Sequence, residues 1–436
     1  MKKFYVALLS LTLGLAACSD MDQDEIAPDS EKLESPELKN VEPDENLFPV
    51  ENGEKDLSTY NLSQQIYYLL RQAPDTLGAS MGNVKVSDEE YAEIKDETEY
   101  IIEGKTTDLA KYQAIFAWIR ANVGYDNNGE NQEQSAYYAF INKKANCQGY
   151  SNLMNVMTHC AGLRSFNVNG YLVSGGAGLG HAWTYVLCGT SWRVCDVTNN
   201  QEWAITSYAS YKDKLIPFSI DVPLNEDEHF VYGWFDRTFA VIGVKPTANT
   251  QLTVPYGAGG CRVGTFNPQG KLPESVKEIY FGKNIESIGE SYNMGLSIYG
   301  SDNLTAIHVD PANTKLKSHK GMLYRVFGGQ PQLYFIPLGA TYVELLPEIG
   351  EVGKNDIAHH KKVKTIYFPA GITKIYPYAV EDCPSLQAIY VPEDVKFCDN
   401  DNNEYDNPLT TTFVSIPRNC QIIRGAVPTG IRNITL

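Results

Sequence analysis

At 436 residues, with 43% hydrophobic and 20% charged residues, the chain has the composition of a globular protein and the length for two or three domains. The formal net charge is −17. No basic block is present to neutralise phosphates, which excludes nucleic acid as a partner.

The N-terminal stretch MKKFYVALLSLTLGLAAC has a charged lead, Lys2 and Lys3, and a short apolar run from Phe4 to Leu15. That run is too short to span a membrane and predicts a signal peptide over residues 1–17. Leu15-Ala16-Ala17-Cys18 resembles a bacterial lipobox, which implies cleavage before Cys18 and lipidation of its sulfur. Residues 19–55 hold thirteen acidic residues against three lysines, or −10 of the total −17. Low hydrophobicity, high charge and repeated Pro predict a disordered tether over 18–56. Acidic residues directly after such a cysteine also resemble the export signal of Gram-negative surface lipoproteins. The expected location is therefore the cell envelope, lipid-anchored at the outer membrane and facing outward.

Residues 57–125 read as helical. In KTTDLAKYQAIFAWIRANVGYD, Thr107 or Asp108 is a good N-cap and Gly124 a plausible stop. A further helix is predicted from Cys147 to Ala161, because Tyr150, Leu153, Met154, Met157 and Ala161 recur at helical spacing. These stripes are read as core. From about residue 166 the period changes to two: FNVNGYLV, HAWTYVL and WRVCDV are predicted strands, with CGTSW as a hairpin turn. Helices followed by an antiparallel sheet define an α+β domain over 57–238.

Residues 239–275 are expected to form a connector or cap. Over 276–436 short strands recur at VKEIYF, LTAIHV, QLYFIP, VKTIYFP, LQAIYVP and FVSIP. Such a period predicts a β-rich solenoid. PAGITKIYPYAVEDCPSLQAIYVP resembles the leucine-rich repeat of bacterial surface proteins. Residues 315–330 interrupt the period and read as an extra hairpin.

Eight cysteines follow Cys18, with no CxxC among them, so neither a zinc ribbon nor a redox motif is indicated. An envelope location permits disulfides. The relation of Cys188 to Cys195 stays open, and His159-Cys160, late in its helix, reads as structural. No calcium loop or zinc spacing is found, so neither a metal nor a cofactor is expected.

Cys147, His181 and Asp196 form a constellation. A helix N-terminus favours a thiolate, and an imidazolium beside it does so further. The imidazole must in turn be oriented, and a carboxylate accepting its other N–H does that. Across a hairpin turning at Gly189-Thr190, residue 183 faces residue 196, so His181 and Asp196 share a face diagonally, with Trp183 and Tyr185. The loop SGGAGLG (174–180) lacks the strand-before, helix-after context of a dinucleotide site. Its glycines read as flexible backbone beside His181.

WIRANVGYD, NCQGYSNLM, HAWTYV and the Trp-x-x-x-Asp-x-Thr at 192–198 resemble the transglutaminase-like superfamily of papain-like cysteine enzymes, over about residues 85–235. The resemblance implies Cys147 as nucleophile, His181 as general acid–base and Asp196 as the group orienting it. Val197 stands where the family commonly has Pro, and Ala145-Asn146 where it commonly has Gly. The Cys147 N–H is the first candidate oxyanion donor, with Tyr125 a candidate for the second. Trp118 is an alternative read more simply as core.

The expected function is a surface cysteine enzyme forming a thioester from a peptide or amide. It resolves the thioester with water as a peptidase or amidase, with the repeats binding a ligand. Its expected partners are a protein or peptide substrate, peptidoglycan peptides included, a host or surface ligand on the repeats, and the membrane through the lipid. Two alternatives stand beside it: a non-catalytic adhesion protein acting through its repeats, and a protein-glutamine transglutaminase or deamidase.

Overall fold

The computed structural model describes residues 65–66, 69–70, 81, 84–126, 134–174, 177–204, 215–291, 295–296 and 301–425. The expected signal peptide, Cys18 and the tether lie outside them. The chain divides into two compact units. The first includes the described residues up to Asp227, with Val231–Ile242 and Gly257–Arg262; the second holds Glu228–Phe230, Gly243–Tyr256 and the residues from Val263 on. No described helix is long and apolar enough to cross a membrane.

The first unit carries α1 (Asp88–Ile101) and α2 (Asp108–Asn122), with residues 65–66 and 69–70 helical before them. Ser87 and Glu90 form a capping box on α1, and Thr107 caps α2 by accepting the Ala110 N–H. Helix α2 ends at Asn122 with Val123 as its C-cap, so Gly124 follows directly after it as a stop would, but without the positive φ of a glycine cap. Gly124 instead opens β1 (Gly124–Tyr125), which pairs in parallel with β2 (Lys144–Ala145). In that pairing the Gly124 N–H donates to the Lys143 carbonyl at 2.9 Å rather than back into the helix. Between them lies α3 (Ala136–Asn142).

Helix α4 (Cys147–Cys160) is the centre of this unit. Asn146 caps it, its Oδ1 accepting the Gln148 and Gly149 N–H groups at 3.0 and 3.2 Å. Gly162, at φ +76°, ends it, and the Leu163 N–H reaches back to the Thr158 carbonyl. Leu153, Met154 and Met157 pack with Ile94, Tyr112 and Ile115 of α1 and α2.

The sheet behind α4 comprises β3 (Arg164–Ser174), β4 (Ala177–Cys188), β5 (Ser191–Asp196), β6 (Gln201–Ala204) and β7 (Leu215–Ile220), in the antiparallel order β6-β5-β4-β3-β7. Strand β4 starts earlier than the HAWTYVL run suggests. Residues 177–180 pair with 174–171, so the glycine-rich segment is largely a strand rather than a flexible loop. Thr184, Val186 and Cys195 meet the helices. The alternate positions build an aromatic layer in which Phe166 lies 5.4 Å from Tyr185 and 5.2 Å from Trp192, centroid to centroid.

In the second unit short parallel strands stack in register. Gln251–Thr253, Glu278–Phe281 and Ala306–Val309 form one ladder, which therefore starts inside the stretch expected to be a connector. Tyr342–Glu344, Thr365–Tyr367, Ala388–Val391 and Gln421–Arg424 form another. Two further ladders, through Lys374–Ile375 and Val380–Glu381, give the later coils three short strands each. Val343, Ile366 and Ile389 stack inside, with Val352, Ile375 and Phe397 beside them.

Two predicted repeat strands have other roles. QLYFIP supplies the last strand of an antiparallel meander, Leu316–His319, Met322–Phe327 and Gln330–Phe335. The ladder position belongs to Tyr342–Glu344. FVSIP contributes Phe413–Val414 to a different ladder from Ala388–Val391, whose neighbour is Gln421–Arg424.

Candidate active site

Cys147 occupies the first position of α4 and is buried, 2% exposed. The helix is held to the sheet one turn further on. Ser151 Oγ lies 3.0 Å from Thr184 Oγ1 and donates to Asn167 Oδ1 at 3.0 Å. Thr184 is three residues past His181 on β4, so the helix carrying the thiol and the strand carrying the imidazole are joined through buried polar groups.

The β4–β5 hairpin turns at Gly189, φ +62°, whose N–H donates to Asp108 Oδ2. Thr184 pairs with Cys195 and Tyr185 with Val194, a register that places Trp183 opposite Asp196. His181 Nε2 then lies 2.9 Å from Asp196 Oδ2, with both side chains out of water. An ionised carboxylate only accepts, so the shared hydrogen sits on Nε2 and Nδ1 is the ring nitrogen left to exchange a proton. The Trp183 ring stacks beside the imidazole at 6.1 Å. Trp183 in turn lies over Gly170, the cross-strand partner of His181.

Tyr125 is in register with Ala145, two residues before Cys147, and its ring stacks on Tyr150 at 6.5 Å. Tyr150 donates its hydroxyl to the Val123 carbonyl at 2.6 Å. Trp118 packs on Phe140 under the Lys143 ammonium, half-buried against the edge of the core. His159 contacts the Ser165 carbonyl at 3.0 Å, and burial lowers its pKa. No disulfide links the described cysteines. Cys195 lies opposite Thr184 and Cys188 opposite Ser191, and burial raises the pKa of both thiols, Cys188 to about 12. Among the described residues no group of three or more His, Cys, Asp or Glu is placed to share a metal ion.

Four residues that pattern reading passes over lie around the site. Asn146 is the cap just described; an Asn directly before an apolar-periodic run is the available signal. Gln134 Oε1 accepts the Asn146 N–H at 2.9 Å, and its carbonyl accepts from Asn152 Nδ2. Asn199 donates from Nδ2 to Asp196 Oδ2 at 2.8 Å. Arg120 Nη1 reaches the Val197 and Thr198 carbonyls at 3.1 Å each.

Helix α4 of this α+β unit begins with Cys147, and the adjacent strands β4 and β5 carry the buried His181–Asp196 pair. Residues 95–197, which include Cys147, His181 and Asp196, match the transglutaminase-like superfamily and form a transglutaminase-like domain. No curated protein matches the chain. Among solved structures, a candidate cysteine protease from Cytophaga hutchinsonii is similar at 18% identity and TM-score 0.24, covering 28% of this chain and 45% of its own. A leucine-rich repeat protein from Eubacterium ventriosum matches at 18% identity and TM-score 0.22, covering 32% and 42%. A structure described as a TGase matches at 20% identity and TM-score 0.21, covering 27% and 34%. The chain thus spans less than half the length of each of these three structures.

Proposed function

We propose that the protein is a cysteine enzyme of the cell surface, anchored by lipid at Cys18, that hydrolyses peptide or amide bonds through Cys147, His181 and Asp196. The observation that carries this reading is the buried His181–Asp196 pair, 2.9 Å apart, with His181 on the strand tied to the helix that Cys147 opens. His181 Nδ1 takes the thiol proton, and the thiolate adds to the substrate carbonyl carbon. The oxygen takes up the electron pair, supported by the Cys147 N–H and by Tyr125. Collapse expels the amine, which receives its proton from His181, and leaves a thioester on Cys147. Water, deprotonated by His181, then releases the carboxylate product and restores the thiol. Replacement of water by an amine would make the same site a transglutaminase, and a glutamine side chain as substrate would make it a deamidase. The repeats would hold a peptide or glycan partner near the anchored enzyme.

The 2% exposure of Cys147 means that a carbonyl reaches the sulfur only when covering atoms move. It also favours the second reading, a surface adhesion protein in which the triad is an inherited scaffold. Alkylation of Cys147, followed by peptide-level mass spectrometry in the full chain, separates the two. The enzyme reading expects Cys147 to label faster than a model thiol at pH 6.5 and His181→Ala to abolish the excess. Equal rates in wild type, His181→Ala and the model thiol would leave the adhesion reading.

A further inference from the structure

Asp196 is wholly buried, so its carboxylate depends on protein donors rather than on water. Oδ2 receives two N–H groups, from His181 Nε2 at 2.9 Å and from Asn199 Nδ2 at 2.8 Å. Oδ1 receives a third, the Asn199 backbone N–H, at 3.3 Å. Asn199 Nδ2 and His181 Nε2 are 3.4 Å apart. Both nitrogens are donors towards Asp196, so this approach is two donors converging on one oxygen rather than a bond between them.

The imidazole alone would leave the carboxylate free to turn about its Cβ–Cγ bond. Asn199 grips both oxygens, one from its side chain and one from its backbone, and so sets the plane of the carboxylate. That plane is what His181 Nε2 addresses. Asn199 is itself fixed by the turn it stands in. Asn200, at φ +53°, donates its N–H to the Val197 carbonyl at 3.1 Å. The Arg120 guanidinium, reaching over from α2, donates to the carbonyls of Val197 and Thr198, the two residues between Asp196 and Asn199.

We infer that Asn199 is a positioning residue of the site: it locks the Asp196 carboxylate so that His181 keeps its hydrogen on Nε2 and presents Nδ1, and Arg120 holds the turn that makes this possible. The chemical use of that tautomer rests on the proposed role of Cys147. The geometry of Asp196 does not.

The test uses the full-length protein and two readouts. Nitrogen-15 NMR of the His181 ring reports its tautomer directly. Alkylation of Cys147 across pH, read at the peptide level, reports its thiolate. In wild type Nε2 is expected to keep its hydrogen through the neutral range, with any exchange of a proton confined to Nδ1. Asn199→Ala is expected to give a mixture of tautomers. It should also move the alkylation midpoint up by about one pH unit, equivalent to about tenfold less thiolate below the midpoint. Arg120 is exposed, so Arg120→Ala keeps the core and should shift both readouts in the same direction by less. If both variants keep the wild-type tautomer and midpoint, the inference is overturned even where melting temperature falls, because Asn199 would then serve only the turn. If wild-type Cys147 proves no more reactive than a model thiol, the enzyme reading fails, and the tautomer measurement still decides the role of Asn199.

Discussion

Gly170 and Trp183 occupy one space. A Cβ on Gly170 would lie 2.6 Å from Trp183 Cη2 and 2.2 Å from the Ile216 carbonyl oxygen. The position is also a bulge, where the β3–β7 register shifts between Asn169 and Gly170. Gly170 faces His181 across the β3–β4 ladder, and the indole that fills the vacated space is the ring beside the imidazole. Gly170→Ala must therefore move a backbone carbonyl or the indole. A cost of about 3 kcal/mol is expected from such overpacking, visible as a lower denaturation midpoint in urea. An unchanged midpoint would show that the strand relaxes freely and that the glycine does not seat Trp183.

Asn146 places the thiol by ending the chain's extended run and starting α4. Its Oδ1 takes the Gln148 and Gly149 N–H groups, while its own N–H goes to Gln134. Asn146→Ala removes the cap and is expected to cost about 1 kcal/mol, with Asn146→Asp or Asn146→Ser retaining most of it. Because Cys147 is the next residue, the Ala variant should also alkylate at Cys147 with a changed rate. Loss of stability with the alkylation rate untouched would mean that the cap supports the helix without placing the sulfur.

Much of this site is legible in the amino-acid order alone. The apolar spacing of Tyr150, Leu153, Met154 and Met157 marks α4, and a turn at Gly189-Thr190 sets the register that puts residue 183 against 196. Local patterns carry that information because a helix face and a two-residue turn are short-range objects. Arg120 and Asn199 are not legible in the same way. Arg120 acts on carbonyls 77 and 78 residues away, through backbone groups that every residue type shares. Asn199 in Thr-Asn-Asn reads as an ordinary turn residue until the carboxylate is in place. The repeats mislead at one point for a related reason. Leu333-Tyr334-Phe335 has the same alternation as Ile279-Tyr280-Phe281, and alternation does not distinguish an antiparallel meander from a parallel ladder. Only the coils at 365–391, two alike in succession, show their stacking in the sequence.

The solenoid corners depend on buried asparagine. Asn313 donates from Nδ2 to the carbonyls of Gly282 and Ile285 in the preceding coil, at 3.0 and 2.7 Å. Its Oδ1 accepts the Lys315 and Leu316 N–H groups, each at 2.8 Å. Asn284 repeats the contact one coil earlier, on the Val263 carbonyl at 2.8 Å. Asn313→Ala strands four backbone groups in a buried corner and is expected to lower the stability of the repeat unit by about 3 kcal/mol. Asn313→Asp should be no milder, since a carboxylate turns acceptors towards two carbonyls. Calorimetry of the two variants checks this, and an Asp variant as stable as wild type would remove the donor argument.

His360 makes the repeat unit sensitive to acid. It is buried, and its Nδ1 has no hydrogen-bond partner among the described residues. Burial first, and the neighbouring His359 second, push its pKa down from 6.5 to about 4. The unfolded chain therefore binds a proton at this residue between about pH 6.5 and pH 4 that the folded chain refuses. With more protons on the unfolded side, stability rises with pH across that window and is lost as pH falls through it. The contribution is fully present above about pH 6.5, and its loss by about pH 4 amounts to about 3 kcal/mol. His360→Leu, which fills the site without a titrating group, should flatten this part of the profile. Urea unfolding of the two proteins at about pH 7 and about pH 4.5 measures it. The wild type is expected to lose more stability than the variant between the two conditions, and parallel losses would show that His360 titrates alike in the folded and unfolded chain.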